Sequence, residues 1–233
     1  MTEFVGVSTP LYDRLIKEGK HILIAGCTGS GKSTLLDALM NSITLENVNN
    51  HKMVLIDAKM VELSKFENTY HCIECATDED MIVSTLNGVM RMIKIRLAYM
   101  KEHQMTQYDG TVIHVIIDEL ADLMLTTKKA IPVLQRICQL GRAANVQVIC
   151  ATQCPLASVI PTRIKVNFPV LIGLHTACAQ HSRNILDVSG CEELPMHGEA
   201  LIRFPGEDIR KILLPKIPDD MLLGAIQADM KGV

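Results

Sequence analysis

The segment Gly26–Ser33 reads G-C-T-G-S-G-K-S and directly follows the apolar run 21–25. Its three glycines let the backbone wrap tightly, so that successive N–H groups can surround a phosphate chain. Lys32 can then place its ammonium against the β- and γ-phosphates, and the Ser33 hydroxyl can bind Mg²⁺. Residues 34–40 have apolar side chains at helical spacing, so a helix N-terminus should face the anion. Strand, loop and helix in this order predict a phosphate-binding loop within an α/β fold.

The whole loop is expected to contact a nucleotide, which we take to be ATP with Mg²⁺. The expected binding residues are Gly26, Cys27, Thr28, Gly29, Ser30, Gly31, Lys32, Ser33 and Thr34.

The composition narrows the possibilities further. The chain has 233 residues, of which 48% are hydrophobic and 3% aromatic, which favours one domain with a buried parallel sheet. Apolar runs such as 112–117 are much shorter than the roughly 18 residues of a membrane span, and no signal sequence opens the chain. We therefore expect a cytoplasmic protein without a membrane span. The net charge of −3 gives no global positive field, so any contact with nucleic acid must be local.

Apolar runs alternate with helical patterns along the chain, which predicts parallel strands with ligands at their carboxyl ends. The predicted strands are 21–25, 53–57, 70–76, 112–117, 146–151, 170–174 and 200–203, and the predicted helices are 34–40, 78–103 and 130–143.

Polar residues follow two of these strands and could complete an ATP site. Asp118 can hold Mg²⁺ and Glu119 can polarise an attacking water, although the pair could instead be a solvated acidic helix start. Gln153 could hydrogen-bond the γ-phosphate or its water, or simply end a strand.

Several stretches resemble the motor domain of the FtsK/SpoIIIE family of DNA translocases, from about Lys20 to Arg203. They are the loop A-G-C-T-G-S-G-K-S, L-I-D-A-K-M-V-E-L at 55–63, V-I-I-D-E-L-A-D-L-M at 115–124, R-A-A at 142–144, A-T-Q-C-P at 151–155, I-K-V-N-F-P at 164–169 and S-R-N-I-L-D at 182–187. Three positions depart from the family pattern, because Ala58 stands in place of a proline and Cys154 and His175 in place of arginines.

The resemblance implies a RecA-like P-loop NTPase core, with a mostly parallel central sheet flanked by helices on both faces. We expect a lead-in segment over 1–20, the ATPase domain over 21–215 and a tail over 216–233. The family also implies a homo-oligomeric ring of six subunits, with ATP between neighbours and double-stranded DNA in the pore.

Such a ring needs an arginine from the adjacent subunit to stabilise charge on the transferring phosphoryl group. Arg142 is the first candidate, with Arg96 and Arg183 as alternatives. Each could equally be a surface ion-pair partner.

Arg163 and Lys165 are the expected contacts to DNA phosphates, although their side chains could instead lie over an apolar helix face. The expected activity is ATP hydrolysis coupled to DNA movement. Two other functions remain open: an ATPase of the type VII secretion kind that acts on proteins, and a coupling ATPase of conjugation or mobile elements that works with a membrane-anchored partner.

Overall fold

The computed structural model describes residues 10–214 and Ile226. The described residues form one eight-stranded sheet. Its strands are β1 (Ile22–Ala25), β2 (His51–Ile56), β3 (Cys72–Ala76), β4 (Val112–Ile117), β5 (Val146–Thr152), β6 (Val170–Gly173), β7 (Glu199–Arg203) and β8 (Arg210–Leu213). The helices are α1 (Pro10–Lys17), α2 (Lys32–Thr44), α3 (Glu79–Glu102), α4 (Leu120–Thr126), α5 (Ala130–Leu140), α6 (Thr162–Lys165) and α7 (Ala179–Leu186).

The strand order is β3-β2-β4-β5-β1-β6-β7-β8. Strands β3 to β6 in this order run parallel, whereas β7 and β8 pair antiparallel at one end. The sheet is therefore mostly parallel, as predicted. Because β4, β5 and β1 are neighbours, the segments that follow them meet at one edge of the sheet.

Helices cover both faces of the sheet, and each face has its own apolar core. One core packs α3, α4, α5 and α7 against residues such as Leu23 and Val115. The other packs α1 and α2 against residues such as Ile24 and Ile116. Burial on both faces explains why the central strands read as continuous apolar runs rather than as alternating patterns.

Each predicted strand is present, with bounds that shift by a few residues, and β4 has the predicted bounds. None of the predicted elements covers α1, α4, α6, α7 or β8. The predicted polar lead-in contains α1, whose Tyr12, Leu15 and Ile16 are buried against α2. The predicted tail lies outside the described residues, except for the buried Ile226, and the domain division stays a prediction.

Over residues 10–214, no helix has both the length and the apolar character that crossing a bilayer requires.

Candidate nucleotide-binding site

The phosphate loop joins β1 to α2 in a conformation that depends on glycine at two positions. Gly31 has φ +96° and immediately precedes α2, in the left-handed region that favours glycine. Gly26 is packed so closely that a Cβ there would lie 2.7 Å from Leu174 Cβ and closer still to the Ser30 hydroxyl. The sequence therefore places glycine where a side chain would either strain or block the loop.

Lys32 begins α2 and is directed back over the loop. Its side-chain Nζ donates to the carbonyl oxygens of Gly26 (3.0 Å) and Cys27 (3.2 Å), and the residue is 8% exposed. Burial lowers the pKa of Lys32, while Glu119 and Asp118 act in the opposite direction. The ammonium thus lies inside the loop and near the carboxylates that follow β4.

Glu119 is buried and lies between the ends of β4 and β5. Its carboxylate accepts from the Thr152 hydroxyl (2.8 Å), from the backbone N–H of Gln153 (3.1 and 2.9 Å to the two oxygens) and from the N–H of Ala121 (3.2 Å). The last contact caps α4. Glu119, the residue that we expect to activate water, is thus also the residue that caps the start of α4. The alternative prediction, an acidic helix start, is therefore partly correct.

Gln153 connects this carboxylate to the phosphate loop. Its side-chain Oε1 accepts from the Thr28 hydroxyl at 2.7 Å, while its backbone N–H bonds Glu119. Thr28 and Gln153 are both exposed toward the same cavity, of about 270 Å³, whose lining includes Lys32 and Ser33. The structure therefore brings together the predicted loop residues, Glu119 and Gln153.

Asp118 has a strongly acidic environment. Burial, followed by the neighbouring carboxylates of Glu62, Asp57 and Glu119, raises the pKa of Asp118 to about 6, and Lys59 partly opposes this effect. Asp57 is fully buried, and its Oδ2 accepts from the Leu63 N–H at 2.9 Å.

Asp57 supports the loop 58–63, whose sequence resembles the family but predicted no role in the site. Lys59 in this loop pairs with Asp122 of α4 at 3.0 Å, and Glu62 lines the cavity. Two charged residues directly after an apolar strand were the signal that could have found them.

A second cavity, of about 440 Å³, adjoins the loop on the α1 side. Its lining residues come from elements far apart in sequence. Ser30, Gly31 and Thr34 were predicted to bind the nucleotide, whereas the other lining residues were not predicted. The lining is Tyr12, Ser30, Gly31, Thr34, Leu35, His197, Gly198 and Leu214. His197 and the loop residues line both cavities, so together they form a continuous surface along the phosphate loop.

The three candidate arginines lie in different environments. Arg142 and Arg183 are exposed. Arg96 is only 8% exposed, because its Nη1 donates to the carbonyls of Ala144 (2.8 Å) and Asn145 (3.2 Å) and its guanidinium lies 4.4 Å from the ring centre of Tyr108. Arg96 is therefore held by contacts within its own chain, so Arg142 and Arg183 are the better placed candidates for an arginine finger.

The two expected DNA contacts also differ. Arg163 in α6 is exposed. Lys165 instead pairs with Asp187 at 2.7 Å, and Asp187 also pairs with Arg203 at 2.9 Å. Lys165 therefore ties α6 to the end of α7, and Arg163 is the better candidate for a DNA contact.

The parallel sheet, the glycine loop with Lys32 and the acidic pair after β4 define a P-loop ATPase domain.

A family model for the FtsK/SpoIIIE family matches residues 3–112. The DNA translocase FtsK of Helicobacter pylori strain J99 is 34% identical in an alignment of 207 positions that covers 82% of this chain and 24% of that protein. The DNA translocase FtsK of Brucella melitensis is 31% identical in an alignment of 252 positions, gaps included, that covers 89% of this chain and 31% of that protein. The chain belongs to the FtsK/SpoIIIE family, and it spans about a quarter to a third of these relatives.

Solved structures share the fold. The pCW3 conjugation coupling protein TcpA, determined with ATPγS, has a TM-score of 0.79 at 23% identity over 90% of this chain and 64% of that one. The cytoplasmic domain of the Thermomonospora curvata type VII secretion ATPase EccC has a TM-score of 0.78 at 20% identity over 90% of this chain and 28% of that one. At these identities the likeness concerns the fold alone.

Proposed function

We propose that this chain is the motor domain of a ring-forming ATPase that couples ATP hydrolysis to movement of double-stranded DNA. One observation carries the hydrolytic part. The hydrogen bonds from Thr28 to Gln153 and from Gln153 to Glu119 join the phosphate loop, through the end of β5, to the carboxylate that follows β4. The DNA translocases among the relatives support the choice of DNA as substrate.

The chain's own residues divide the work of hydrolysis. Backbone N–H groups of the loop and the Lys32 ammonium hold the phosphates of ATP, with the nucleoside end along the larger cavity. Glu119 orients an attacking water and accepts its proton, and Gln153 hydrogen-bonds the γ-phosphate or that water.

Ser33 and Asp118 would hold Mg²⁺, since a hydroxyl and a carboxylate oxygen are hard ligands of the kind this ion prefers, and most of its remaining ligands are waters and phosphate oxygens. The fit is supported by the position of Ser33 in the first turn of α2, beside Lys32, and of Asp118 directly after β4. When bound, Mg²⁺ would draw negative charge from the β- and γ-phosphates.

Arg142 is the candidate for an arginine that acts between subunits. It lies before the N-terminal end of β5, whereas the phosphate loop lies beyond the C-terminal end of the adjacent β1. The seven residues of β5 span about 20 Å, so Arg142 is remote from the phosphate loop of its own chain and would have to act on the nucleotide of a neighbouring subunit. Arg183 stays an alternative, six subunits stay the expected ring size, and the cytoplasm stays the expected location.

The test is the steady-state ATPase rate with and without double-stranded DNA, at about 50 and 200 mM salt. We expect DNA to stimulate hydrolysis, and we expect the stimulation to weaken at high salt because phosphate contacts release counterions. Lys32→Ala should abolish hydrolysis, and Arg163→Glu should reduce only the stimulation by DNA. Stimulation by a polypeptide and not by DNA would contradict the proposal and favour a protein-translocating ATPase.

A further inference from the structure

Thr152, the last residue of β5, is in direct contact with the carboxylate that the proposed mechanism uses. Its hydroxyl donates to Glu119 Oε1 at 2.8 Å, and the residue is fully buried. The other donors to this carboxylate are the backbone N–H groups of Gln153 and Ala121. Among the described residues, Thr152 is thus the one whose side chain donates a hydrogen bond to Glu119, so a substitution there can remove that bond.

The direction of this hydrogen bond is determined by a second contact. The backbone N–H of Cys154 donates to the Thr152 oxygen at 3.1 Å. An N–H group can only donate, so the hydroxyl oxygen is the acceptor there and its single proton is available for Glu119. Because Thr152 is fully buried, bulk water cannot readily replace this donor.

Glu119 follows β4, but its carboxylate is also held by residues at the end of β5. Gln153 follows Thr152 directly, bonds the same carboxylate through its N–H and bonds Thr28 of the phosphate loop through its side chain. The Thr152–Gln153 pair thus holds the carboxylate from the side of the sheet that adjoins β1.

We propose that Thr152 is a positioning residue for ATP hydrolysis, whose hydroxyl orients the Glu119 carboxylate toward the attacking water. This proposal rests on the proposed role of Glu119. A purely structural role for Thr152 would be to bind Cys154 and end β5. Its loss would then lower stability without a specific effect on turnover.

The two roles are separated by the pair Thr152→Val and Thr152→Ser. Valine keeps the shape and removes the hydroxyl, whereas serine keeps the hydroxyl and removes a methyl group. We expect Thr152→Val to lower kcat on the order of tenfold, the usual effect of losing a hydrogen bond to a charged group. The KM for ATP should change less than about twofold, because the phosphate contacts remain. Thr152→Ser should keep kcat close to that of the unmodified protein.

Thr85→Val is the matched control. Thr85 is also a buried threonine, 4% exposed, and its hydroxyl has no hydrogen-bond partner among the described residues. It lies in α3, so its replacement should leave kcat and KM unchanged. Thermal melting and binding of a fluorescent ATP analogue by each variant show whether the fold and the nucleotide site are intact.

The result that overturns the proposal is a Thr152→Val protein with normal kcat, or a Thr152→Ser protein that loses as much activity as Thr152→Val. If Thr152→Val does not fold, Thr152→Ala provides the same comparison with serine. Failure of the proposed function is recognised separately in the same assay, because the unmodified protein would then not hydrolyse ATP, or Glu119→Gln would hydrolyse it normally.

Discussion

At the scale of single residues, Glu119 joins an observed structural contact to the catalytic task proposed for it. A carboxylate after an apolar strand is typical both of a catalytic acidic pair and of a helix start, and here one side chain caps α4 and also accepts from Thr152 and Gln153 at the end of β5. The acidic pair and the loop could be predicted because their residues are contiguous. Thr152 could not, because its importance depends on the contact between the ends of β4 and β5.

Glu119→Gln tests the catalytic task. Glutamine keeps an oxygen that can accept from Thr152 and Ala121, but it cannot accept a proton from water. We expect kcat to fall by about 100-fold or more, the usual contribution of a general base, while the affinity for an ATP analogue persists. Turnover close to that of the unmodified protein would remove Glu119 from the mechanism.

At the scale of elements, the buried strands and the longer helices could be predicted, whereas the short helices and the exposed strand β8 could not. Strand β4 is apolar except for His114, because both of its faces are covered. Strand β8 lies at the end of the sheet and is largely exposed, so its sequence R-K-I-L carries no strand pattern. Helix α1 has eight residues, and only Tyr12, Leu15 and Ile16 show its buried side.

Arg96 shows how a charged side chain can join elements. It links α3 to the turn before β5 through the carbonyls of Ala144 and Asn145. We expect Arg96→Met to lower the free energy of unfolding by about 2–4 kcal/mol, because buried carbonyls lose a charged donor.

Arg91 in the same helix is exposed, so Arg91→Met should change stability by less than about 0.5 kcal/mol. Urea denaturation of both variants measures the difference. An Arg96→Met protein with normal stability and impaired turnover would contradict this assignment and restore Arg96 as a candidate arginine finger.

At the scale of the whole molecule, the site depends on spatial strand order. Strand β5 lies beside β1, although β1 ends at residue 25, β5 begins at residue 146, and β2, β3 and β4 come between them in the sequence.

 The ends of β1, β4 and β5 meet only because these three strands are neighbours, and pairing between distant strands leaves no local signal in the sequence. For the same reason the larger cavity, which lies between α1, α2 and the β7–β8 end of the sheet, could not be predicted.

Two buried histidines make stability depend on pH. Burial lowers the pKa of His21 to about 4 and that of His114 to about 3. Both imidazoles are neutral in the fold at pH 7, where His21 accepts from the Val148 N–H and bonds the Cys138 carbonyl. Below about pH 6.5 the unfolded chain binds protons that the folded chain does not, so stability is lost as the pH falls from about 6.5 toward 4.

We expect each buried histidine to cost about 2 kcal/mol of stability between pH 7 and pH 5. Asp118 acts in the opposite direction by about 1 kcal/mol, because its raised pKa makes the folded chain bind a proton first. Urea denaturation at the two pH values measures the net loss. His103 is exposed, so His103→Gln should leave the pH dependence unchanged, whereas His21→Gln should weaken it. Equal stability at both pH values would contradict the assignment.

The central place of β1 has a consequence for local stability. Its residues are fully buried and paired with β5 on one side and β6 on the other, yet Thr28 and Gly29, only a few residues further on, are exposed. Strand β1, which we expect to be among the last segments to unfold locally, thus adjoins a loop whose local opening costs little free energy. We therefore expect the amide hydrogens of Thr28 and Gly29 to exchange with solvent long before those of β1.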